Sequence, residues 1–304
     1  SKVEYVRGCA IRDTTVNEIA EVVEAASRSE VIIAVVGGSS ARDFKTSYQE
    51  TGAAIADEKS ISDMECGEGF DRATLTLLGK QQDLLNALKA TGKPLIVVYI
   101  EGRPLDKVWA SEYADALLTA SYPGQEGGYA IADVLFGDYN PAGRLPVSVP
   151  RSVGQIPVYY NKKAPCNHDY VEQAASPLYT FGYGLSYTTF EYSDLQVMRK
   201  SPCYFEVSFK VKNTGSYDGE EVAQLYLRDE YASVVQPLRQ LKCFERFFLK
   251  RGEEKEIFFT LTEKDLSIID RNMKRVVETG DFRIMIGASS DDIRLTKDIS
   301  VESL

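Results

Sequence analysis

The hydrophobic pattern of this chain changes its period part-way along, and this change constrains the fold more than any other feature. Up to about residue 150, short continuous apolar runs alternate with segments whose apolar residues lie three or four positions apart. Beyond about residue 186, apolar and polar residues alternate one by one. The first pattern is typical of buried strands between helices, and the second of half-buried antiparallel strands. We therefore expect an α/β domain followed by an all-β domain.

The first part of the chain contains three runs that read as buried strands, at residues 31–36 (VIIAVV), 94–100 (PLIVVYI) and 116–120. Helical spacing predicts a helix over residues 16–26 capped by Thr14 or Thr15, another that starts near Gly79, and a third over residues 126–136. Continuously apolar strands that alternate with helices predict an α/β sandwich with a mostly parallel sheet covered on both faces. In such a sheet, ligands gather at the carboxyl ends of the strands.

The period of two in the last part predicts an antiparallel β-sandwich. Residues 205–211, 257–261 and 282–286 alternate strictly, and turn residues separate the alternating runs. About seven strands in roughly 115 residues match an immunoglobulin-like or fibronectin III-like module. We predict an α/β domain over residues 1–150, a wrapping linker rich in Pro and Gly over residues 151–187, and the β-sandwich over residues 188–304.

Composition excludes two classes of partner. The formal net charge of −10 opposes binding to a nucleic-acid backbone, which requires clustered Lys and Arg. Apolar runs all fall short of the roughly 20 residues that span a bilayer, so no membrane span is expected.

The five cysteines form no CxxC pattern, which leaves no indication of a metal site or a disulfide framework. The chain begins at Ser1 without a visible targeting signal, as a processed or truncated piece would, and its localisation stays open.

A candidate catalytic residue lies in the long excursion after the first strand. Glu68 stands between Gly67 and Gly69, where a ligand can approach closely, and Glu65 and Asp71 crowd the same loop. Desolvation and neighbouring like charges raise the pKa of a carboxyl group, which suits a general acid. Glu68 is the best candidate and Glu65 the fallback. A solvated acidic loop with an exposed Asp71–Arg72 pair remains the alternative interpretation.

Other kinds of site find less support in the sequence. There is no GxSxG motif, and His168 is the only histidine, so a Ser-His-Asp triad would have to be built around that residue. Gly37 and Gly38 follow a strand, but they belong to neither GxGxxG nor a P-loop. We interpret them as a turn, with anion or nucleotide binding as the weaker alternative.

Four motifs resemble glycoside hydrolase family 3 in type and in order. They are residues 67–72 (GEGFDR), 124–128 (GQEGG), 133–146 (DVLFGDYNPAGRLP) and 181–188 (FGYGLSYT). With the predicted sandwich, the chain is similar over nearly its whole length to the second and third domains of the multidomain β-glucosidases and β-xylosidases of that family. The resemblance implies an α/β sandwich domain that carries an acid/base glutamate on a loop, followed by a fibronectin type III-like domain.

The same resemblance implies a function and a division of labour. The family's acid/base glutamate falls on Glu68, whereas the aspartate nucleophile of such enzymes belongs to a preceding (β/α)8 barrel, which these residues do not include. The implied activity is that of a retaining, exo-acting β-glycosidase that removes terminal β-D-glucosyl residues without a cofactor. A β-xylosidase and a non-catalytic carbohydrate-binding or scaffold fragment are the alternatives. Since one of the two carboxyl groups is missing, we predict that the chain alone is inactive.

The resemblance also suggests contacts, partners and a compartment. Asp71, Arg72 and Arg42 are predicted to support the site or to contact the substrate, an oligosaccharide or other β-glycoside. His168 is predicted to contact it from the linker. The barrel of the same protein is the predicted partner, and a periplasmic or secreted location is implied. We interpret the aromatic residues between 179 and 187 as inter-domain packing in preference to a sugar platform.

Overall fold

The computed structural model describes residues 2–41, 47–55, 62–67, 70–164 and 169–302. The chain forms two compact units. The first, called here the α/β unit, comprises residues 1–132 and 150–156, and the second, the sandwich unit, comprises residues 133–149 and 157–304. The predicted domain boundaries at residues 150 and 187 stay predictions, because compactness alone does not define a domain.

The α/β unit alternates strands and helices along the chain. Its elements in order are α1 (Ile19–Ser27), β1 (Ile32–Gly37), β2 (Ser47–Tyr48), β3 (Ala54–Ile55), α2 (Gln81–Ala90), β4 (Leu95–Ile100), α3 (Val108–Tyr113), β5 (Ala116–Ser121) and α4 (Gly127–Phe136), which ends in the sandwich unit, followed by a 3₁₀ turn (Val153–Gln155). The strands β1, β4 and β5 form a parallel sheet in the order β1-β4-β5. The predicted α/β architecture is confirmed.

One face of this sheet carries the core of the α/β unit. Ala34 and Val36 of β1 lie beside Val97 and Tyr99 of β4, and the leucines of α2 pack against this face. Helix α2 is amphipathic, with its apolar residues at helical spacing, so its burial follows directly from the sequence pattern.

Two expectations for the α/β unit are wrong. Strand β1 is not buried on both faces, because Ile33 is 43% exposed and Val35 61% exposed. Only the face toward α2 is closed, and β1 is an edge strand among the described residues. Helix α1 is not capped by a threonine. It begins after Glu18, whereas the Thr15 hydroxyl donates to the Asp13 carboxylate at 2.6 Å.

The sandwich unit is built from antiparallel strands. Its elements are β6 (Phe190–Ser201), β7 (Tyr204–Asn213), β8 (Gly219–Asp229), β9 (Gln240–Leu249), β10 (Glu254–Leu261), α5 (Glu263–Leu266), β11 (Ile268–Ile269), β12 (Arg275–Val276), β13 (Gly280–Gly287) and β14 (Ile293–Val301). One sheet has the order β10-β7-β6 and the other β14-β13-β8-β9, while β11 and β12 pair separately. The predicted sandwich of about seven strands is confirmed.

The core of the sandwich follows the period of two seen in the sequence. Phe205, Val207, Phe209 and Val211 of β7 all point inward, and their polar neighbours point outward. A buried ion pair joins residues 133–149 to this core, since Arg144 Nη2 lies 2.6 Å from Glu221 Oε1 on β8.

Within the described residues, no helix has both the length and the apolar character that crossing a membrane requires.

Candidate active site

The segment that carries the candidate glutamate docks beside the carboxyl ends of the parallel strands. The backbone N–H of Glu65 donates to the carbonyl oxygen of Ser39, two residues after β1, at 2.9 Å. The Cys66 thiol and the Tyr122 hydroxyl share a hydrogen bond at 2.9 Å, and Tyr122 directly follows β5. The residues just before Glu68 therefore lie at the edge of the sheet where ligands of α/β proteins bind.

A buried ion pair between Glu65 and Arg72 joins the two ends of this segment. Arg72 Nη1 donates to Glu65 Oε2 at 2.8 Å, and the two side chains are 6% and 1% exposed. The other terminal nitrogen, Nη2, donates to the carbonyl oxygen of Thr76. Residues 65 and 72 stand on either side of Glu68 in the sequence. The pair therefore fastens both ends of the loop, and charge-assisted bonds in a buried setting are the strong kind.

Glycine at two positions permits this arrangement. A Cβ atom on Gly38 would lie 2.1 Å from Glu65 Oε1, so only a residue without a side chain lets the carboxylate approach the end of β1. Gly67 has φ of 128°, a conformation that other residues rarely adopt. The backbone N–H of Phe70 donates to the carbonyl oxygen of Gly67 at 3.1 Å, which brings residues 67 and 70 together.

A second arginine holds the segment from the N-terminal side of the chain. Arg12 Nη1 donates to the carbonyl oxygen of Met64 at 2.8 Å. The same guanidinium lies 6.0 Å from the centre of the Phe70 ring, which is within the range of a cation–π contact. Arg12 thus contacts residues on both sides of positions 68 and 69.

Tyr122 is a polar group that stays partly open to solvent at this edge. Burial, reinforced by its hydrogen bond with Cys66, raises the pKa of Tyr122 to about 12. The phenol is therefore neutral at physiological pH, and it can donate a hydrogen bond or accept one.

The structure describes some of the site residues predicted from the sequence and not others. Glu68, Arg42 and His168 lie outside the described residues. Asp71 is described and exposed, as a substrate contact requires. Arg72 is described too, but its guanidinium faces Glu65 and Thr76, so its predicted contact with substrate stays a prediction.

Two alternative interpretations lose their basis. Glu65 was the fallback general acid, but it is 3% exposed and bound to Arg72, so a substrate cannot reach it. The amides of Gly37 and Gly38 do not form an anion site. Gly37 N–H donates to Gln81 Oε1 at 2.7 Å and Gly38 N–H to the Ile100 carbonyl oxygen at 2.9 Å, with the Glu65 carboxylate adjacent.

Three residues of this site were not predicted from the sequence: Arg12, Cys66 and Tyr122. Tyr122 carried a usable signal, because it follows a predicted strand and so belongs at the carboxyl edge of the sheet. The other two carried none. Arg12 stands more than 50 positions from Met64, and nothing in its neighbourhood indicates that partner.

The family model described as the glycosyl hydrolase family 3 C-terminal domain matches residues 4–187, which is more than half of the chain. The chain belongs to glycosyl hydrolase family 3. A second model, the fibronectin type III-like domain, matches residues 221–290 within the sandwich unit. The segment 62–72 thus lies in the family's C-terminal domain.

Curated relatives of this family 3 chain are longer than the chain itself. A β-xylosidase of Formosa agariphila is 40% identical over 302 residues, covering 96% of this chain and 39% of that protein. A periplasmic β-glucosidase of Salmonella typhimurium is 43% identical over 292 residues, covering 91% of this chain and 35% of that protein. The chain therefore spans less than two fifths of the length of these two relatives.

Solved structures of two β-glucosidases share the fold. A β-glucosidase of Erythrobacter marinus superposes with a TM-score of 0.85 at 37% identity, covering 98% of this chain and 41% of that one. A β-glucosidase of Listeria innocua in complex with glucose gives a TM-score of 0.82 at 31% identity, covering 96% of this chain and 39% of that one.

Proposed function

We propose that this chain is the C-terminal portion of a retaining, exo-acting β-glycosidase, and that it supplies the general acid/base residue Glu68. In this proposal an aspartate nucleophile comes from a (β/α)8 barrel elsewhere in the same protein. The observation that carries the proposal is the anchoring of residues 64–67 and 70–72 at the carboxyl edge of the sheet, through the Glu65–Arg72 pair and the bond to Ser39.

The chemistry assigned to Glu68 has two steps. As an acid, it protonates the glycosidic oxygen while the nucleophile attacks the anomeric carbon and forms a covalent glycosyl intermediate. As a base, it removes a proton from the water that hydrolyses this intermediate. The two carboxyl groups of a retaining enzyme stand about 5 Å apart, so Glu68 must be held accurately against the barrel.

The anchoring of the loop supports this requirement. A catalytic group that is misplaced by about 1 Å can lose roughly a hundredfold in rate. The Glu65–Arg72 pair fastens the loop on both sides of Glu68, and Arg12 binds the Met64 carbonyl oxygen. Because Glu65 is closed to substrate, Glu68 is the one glutamate of residues 62–72 that remains for the role.

The substrate proposed for the whole protein is a β-linked glycoside with a terminal glucosyl or xylosyl residue. Both kinds of name occur among the relatives, at 43% and 40% identity. The residues that would distinguish the two sugars are expected mostly in the barrel. A periplasmic or secreted location is proposed on the name of the Salmonella relative.

The test measures how the turnover of Glu68→Ala, in the protein that contains the barrel, depends on the leaving group of the substrate. Without an acid, turnover of disaccharides should fall far more than turnover of aryl glycosides with good leaving groups, which depart without protonation. Glu112→Ala is the matched control, since it removes an exposed carboxylate on α3 of the same unit that has no proposed role in the site. An equal loss on both substrate classes would count against Glu68 as the acid.

The isolated chain offers a second test of the division of labour. The purified 304-residue chain should not hydrolyse an aryl β-glucoside or β-xyloside, because it contributes only one of the two carboxyl groups. Turnover by this chain would contradict the proposal. Unchanged turnover of all substrates by Glu68→Ala in the longer protein would instead favour the scaffold alternative.

A further inference from the structure

The sandwich unit contains an open cavity of about 1080 Å³ between the end of α4 and the turn that joins β7 to β8. Five of its lining residues are aromatic: Phe136, Tyr139, Tyr187, Tyr217 and Phe248. Small-molecule sites measure roughly 300–1,000 Å³, so this cavity has room for several linked rings. All of its lining residues belong to the sandwich unit.

The aromatic rings of the cavity remain accessible. Tyr217 is 62% exposed and Phe248 is 53% exposed, and Phe136, Tyr139 and Tyr187 are exposed as well. Exposed apolar residues scattered singly are ordinary, but a cluster around one concavity marks a binding surface. Aromatic rings with polar tips give a flat apolar face together with hydrogen-bonding groups at the edge.

The aromatic run at residues 179–187 clarifies which rings are free to bind. Phe181 stacks on Tyr160 with ring centres 4.2 Å apart, and Tyr179 stacks on Tyr183 at 5.2 Å. All four rings belong to the sandwich unit, so these stacking contacts lie within one unit, whereas the sequence predicted packing between domains. Tyr187 differs, because it lines the cavity and is exposed.

Hydrogen bonds hold the walls of the cavity in place. Tyr187 Oη donates to the Val134 carbonyl oxygen at 2.7 Å, and its backbone N–H donates to Asn140 Oδ1 at 2.8 Å. Asn140 Nδ2 in turn donates to the Asp218 carbonyl oxygen at 2.9 Å. Since Tyr187, Asn140 and the turn at Asp218 are fixed before a ligand arrives, binding carries little cost of ordering them.

A polar network fixes the part of the cavity wall that Tyr139 and Glu220 form. Tyr139 Oη donates to Glu220 Oε2 at 2.7 Å, and Arg246 donates to both groups. The hydrogen bond from Arg246, followed by that from Tyr139, lowers the pKa of the Glu220 carboxyl group. At neutral pH the Glu220 carboxylate is therefore an ionised acceptor, as ligand hydroxyl groups require.

The charge of the cavity selects among ligands. Asp138, Asp218 and Glu220 line it, whereas its lining includes no lysine, arginine or histidine among the described residues; Arg246 pairs with Glu220 from outside the lining. With a net charge of −10 on the chain, phosphate, sulfate and uronate groups are disfavoured. A neutral ligand that offers both apolar C–H faces and hydroxyl groups fits this lining.

We infer that this cavity, named here the sandwich cavity, binds neutral oligosaccharides of linked pyranose rings. Sugar rings pack their C–H faces on Tyr217, Phe248 and Tyr187, and their hydroxyl groups donate to the carboxylates. The inference goes beyond the proposed hydrolysis, because it assigns a binding site that performs no chemistry. Its failure would leave the role of Glu68 untouched.

The experiment titrates the ¹⁵N-labelled 304-residue chain with cellotetraose and xylotetraose at millimolar concentrations, followed by backbone amide shifts. Shift changes are expected at residues 136–140, 187 and 216–220, with at least one of the two probes. Tetragalacturonate, which is anionic, should produce much smaller changes. An absence of shifts at these residues, or shifts confined to residues 62–78, would overturn the inference.

Paired variants test the rings directly. Tyr217→Ala and Phe248→Ala should each weaken binding by roughly tenfold, or about 1.4 kcal/mol, because each removes a ring on which a sugar packs and such aromatic anchors carry most of the binding energy. Tyr231→Ala and Phe258→Ala are the matched controls, since both rings are exposed in the same unit but do not line the cavity. Equal weakening in variants and controls would overturn the inference.

The same titration in the Glu68→Ala variant of the protein that contains the barrel completes the test, because this variant should not turn over the probes. Binding is followed there by the amide signals of residues 136–140, 187 and 216–220. The cavity should stay accessible there, so binding should persist and should remain sensitive to Tyr217→Ala. Loss of binding in the longer protein would mean that another part of that protein covers the cavity, and the inference would then be wrong.

Discussion

Two buried arginine–glutamate pairs, one in each unit of the described chain, have similar geometry and different uses. Arg72 contacts Glu65 at 2.8 Å, and Arg144 contacts Glu221 at 2.6 Å. The first joins residues 7 positions apart, and the second joins residues 77 positions apart. The local pair fastens a loop, whereas the long-range pair ties residues 133–149 to strand β8.

The difference teaches that burial of a charge pair does not by itself reveal its role. A local pair can open with its own loop, so water can reach the charges without unfolding of the rest. A long-range pair opens only when the elements that it joins separate. The same interaction can therefore set the accuracy of a site in one unit and the stability of the fold in the other.

The largest expected effect is the stability lost when the long-range pair is broken. Arg144→Met leaves the Glu221 carboxylate buried without its cation, and we expect a loss of about 3–5 kcal/mol in the free energy of unfolding of the sandwich unit. Urea unfolding measures this loss of stability, and hydrogen exchange of the β8 amides assigns it to the sandwich unit. The exposed pair of Arg283 with Asp298 supplies the control, and Arg283→Met should change stability far less than Arg144→Met, because exposed ion pairs contribute little.

The double variant Arg144→Met/Glu221→Leu sharpens this result. Replacing both charges by apolar side chains removes the uncompensated carboxylate, so more than half of the lost stability should return. A double variant as unstable as the sum of the single variants would show that the pair is not coupled.

The local pair should affect activity more than stability. In the protein that contains the barrel, Arg72→Met should lower kcat/KM by roughly a hundredfold, because the loop loses its fastening beside Glu68. Hydrogen exchange should accelerate in residues 62–78 and stay unchanged in β4 and α2. Arg28→Met, at an exposed pair with Glu4, is the control. A drop in protection throughout the α/β unit would make Arg72 a determinant of the fold instead of the loop.

A partly exposed pair at the wall of the sandwich cavity, Glu220 with Arg246, extends the comparison to pH. The folded-state pKa of Glu220 lies below the ordinary value of 4.5, chiefly through its bond with Arg246. Its contribution to stability is therefore fully present above about pH 4.5 and is lost as the pH falls through the lowered pKa. Glu220→Gln should flatten this part of the stability–pH profile. A profile unchanged by Glu220→Gln would contradict the assignment.

The smallest expected effect concerns the neutral contact at the active-site edge. Tyr122→Phe removes the hydrogen bond with Cys66, which should cost about 1 kcal/mol and should lower turnover only a few-fold. Thermal unfolding and steady-state kinetics measure the two effects. Tyr113→Phe, at an exposed tyrosine of α3 in the same unit, is the matched control. A loss of turnover as large as that of Arg72→Met would contradict the ranking of these contacts.

Much of the fold followed from hydrophobic period. The buried run at residues 94–100 became β4, and the alternation at residues 205–211 became part of β7. Periodicity reports the burial of side chains, and burial determines sheets and helices in both units. It failed for β1, whose apolar run predicted two buried faces where one is open, because a sequence does not say which neighbours are present.

The site was less predictable than the fold. The motif around Glu68 could be found, since glycines that flank a carboxylate are a local signal. The pairing of Glu65 with Arg72 could not, because 35 basic and 45 acidic residues allow many combinations and only the folded chain selects one. Glu65 was for that reason misread as an alternative acid.

The most direct test of the central claim is rescue of Glu68→Ala by azide in the protein that contains the barrel. With a dinitrophenyl β-glycoside, the first step needs no acid, and the variant should accumulate a glycosyl intermediate that water attacks slowly without a base. Azide needs no base, so it should accelerate turnover and give the β-glycosyl azide. No acceleration by azide, or an α-configured product, would contradict the account.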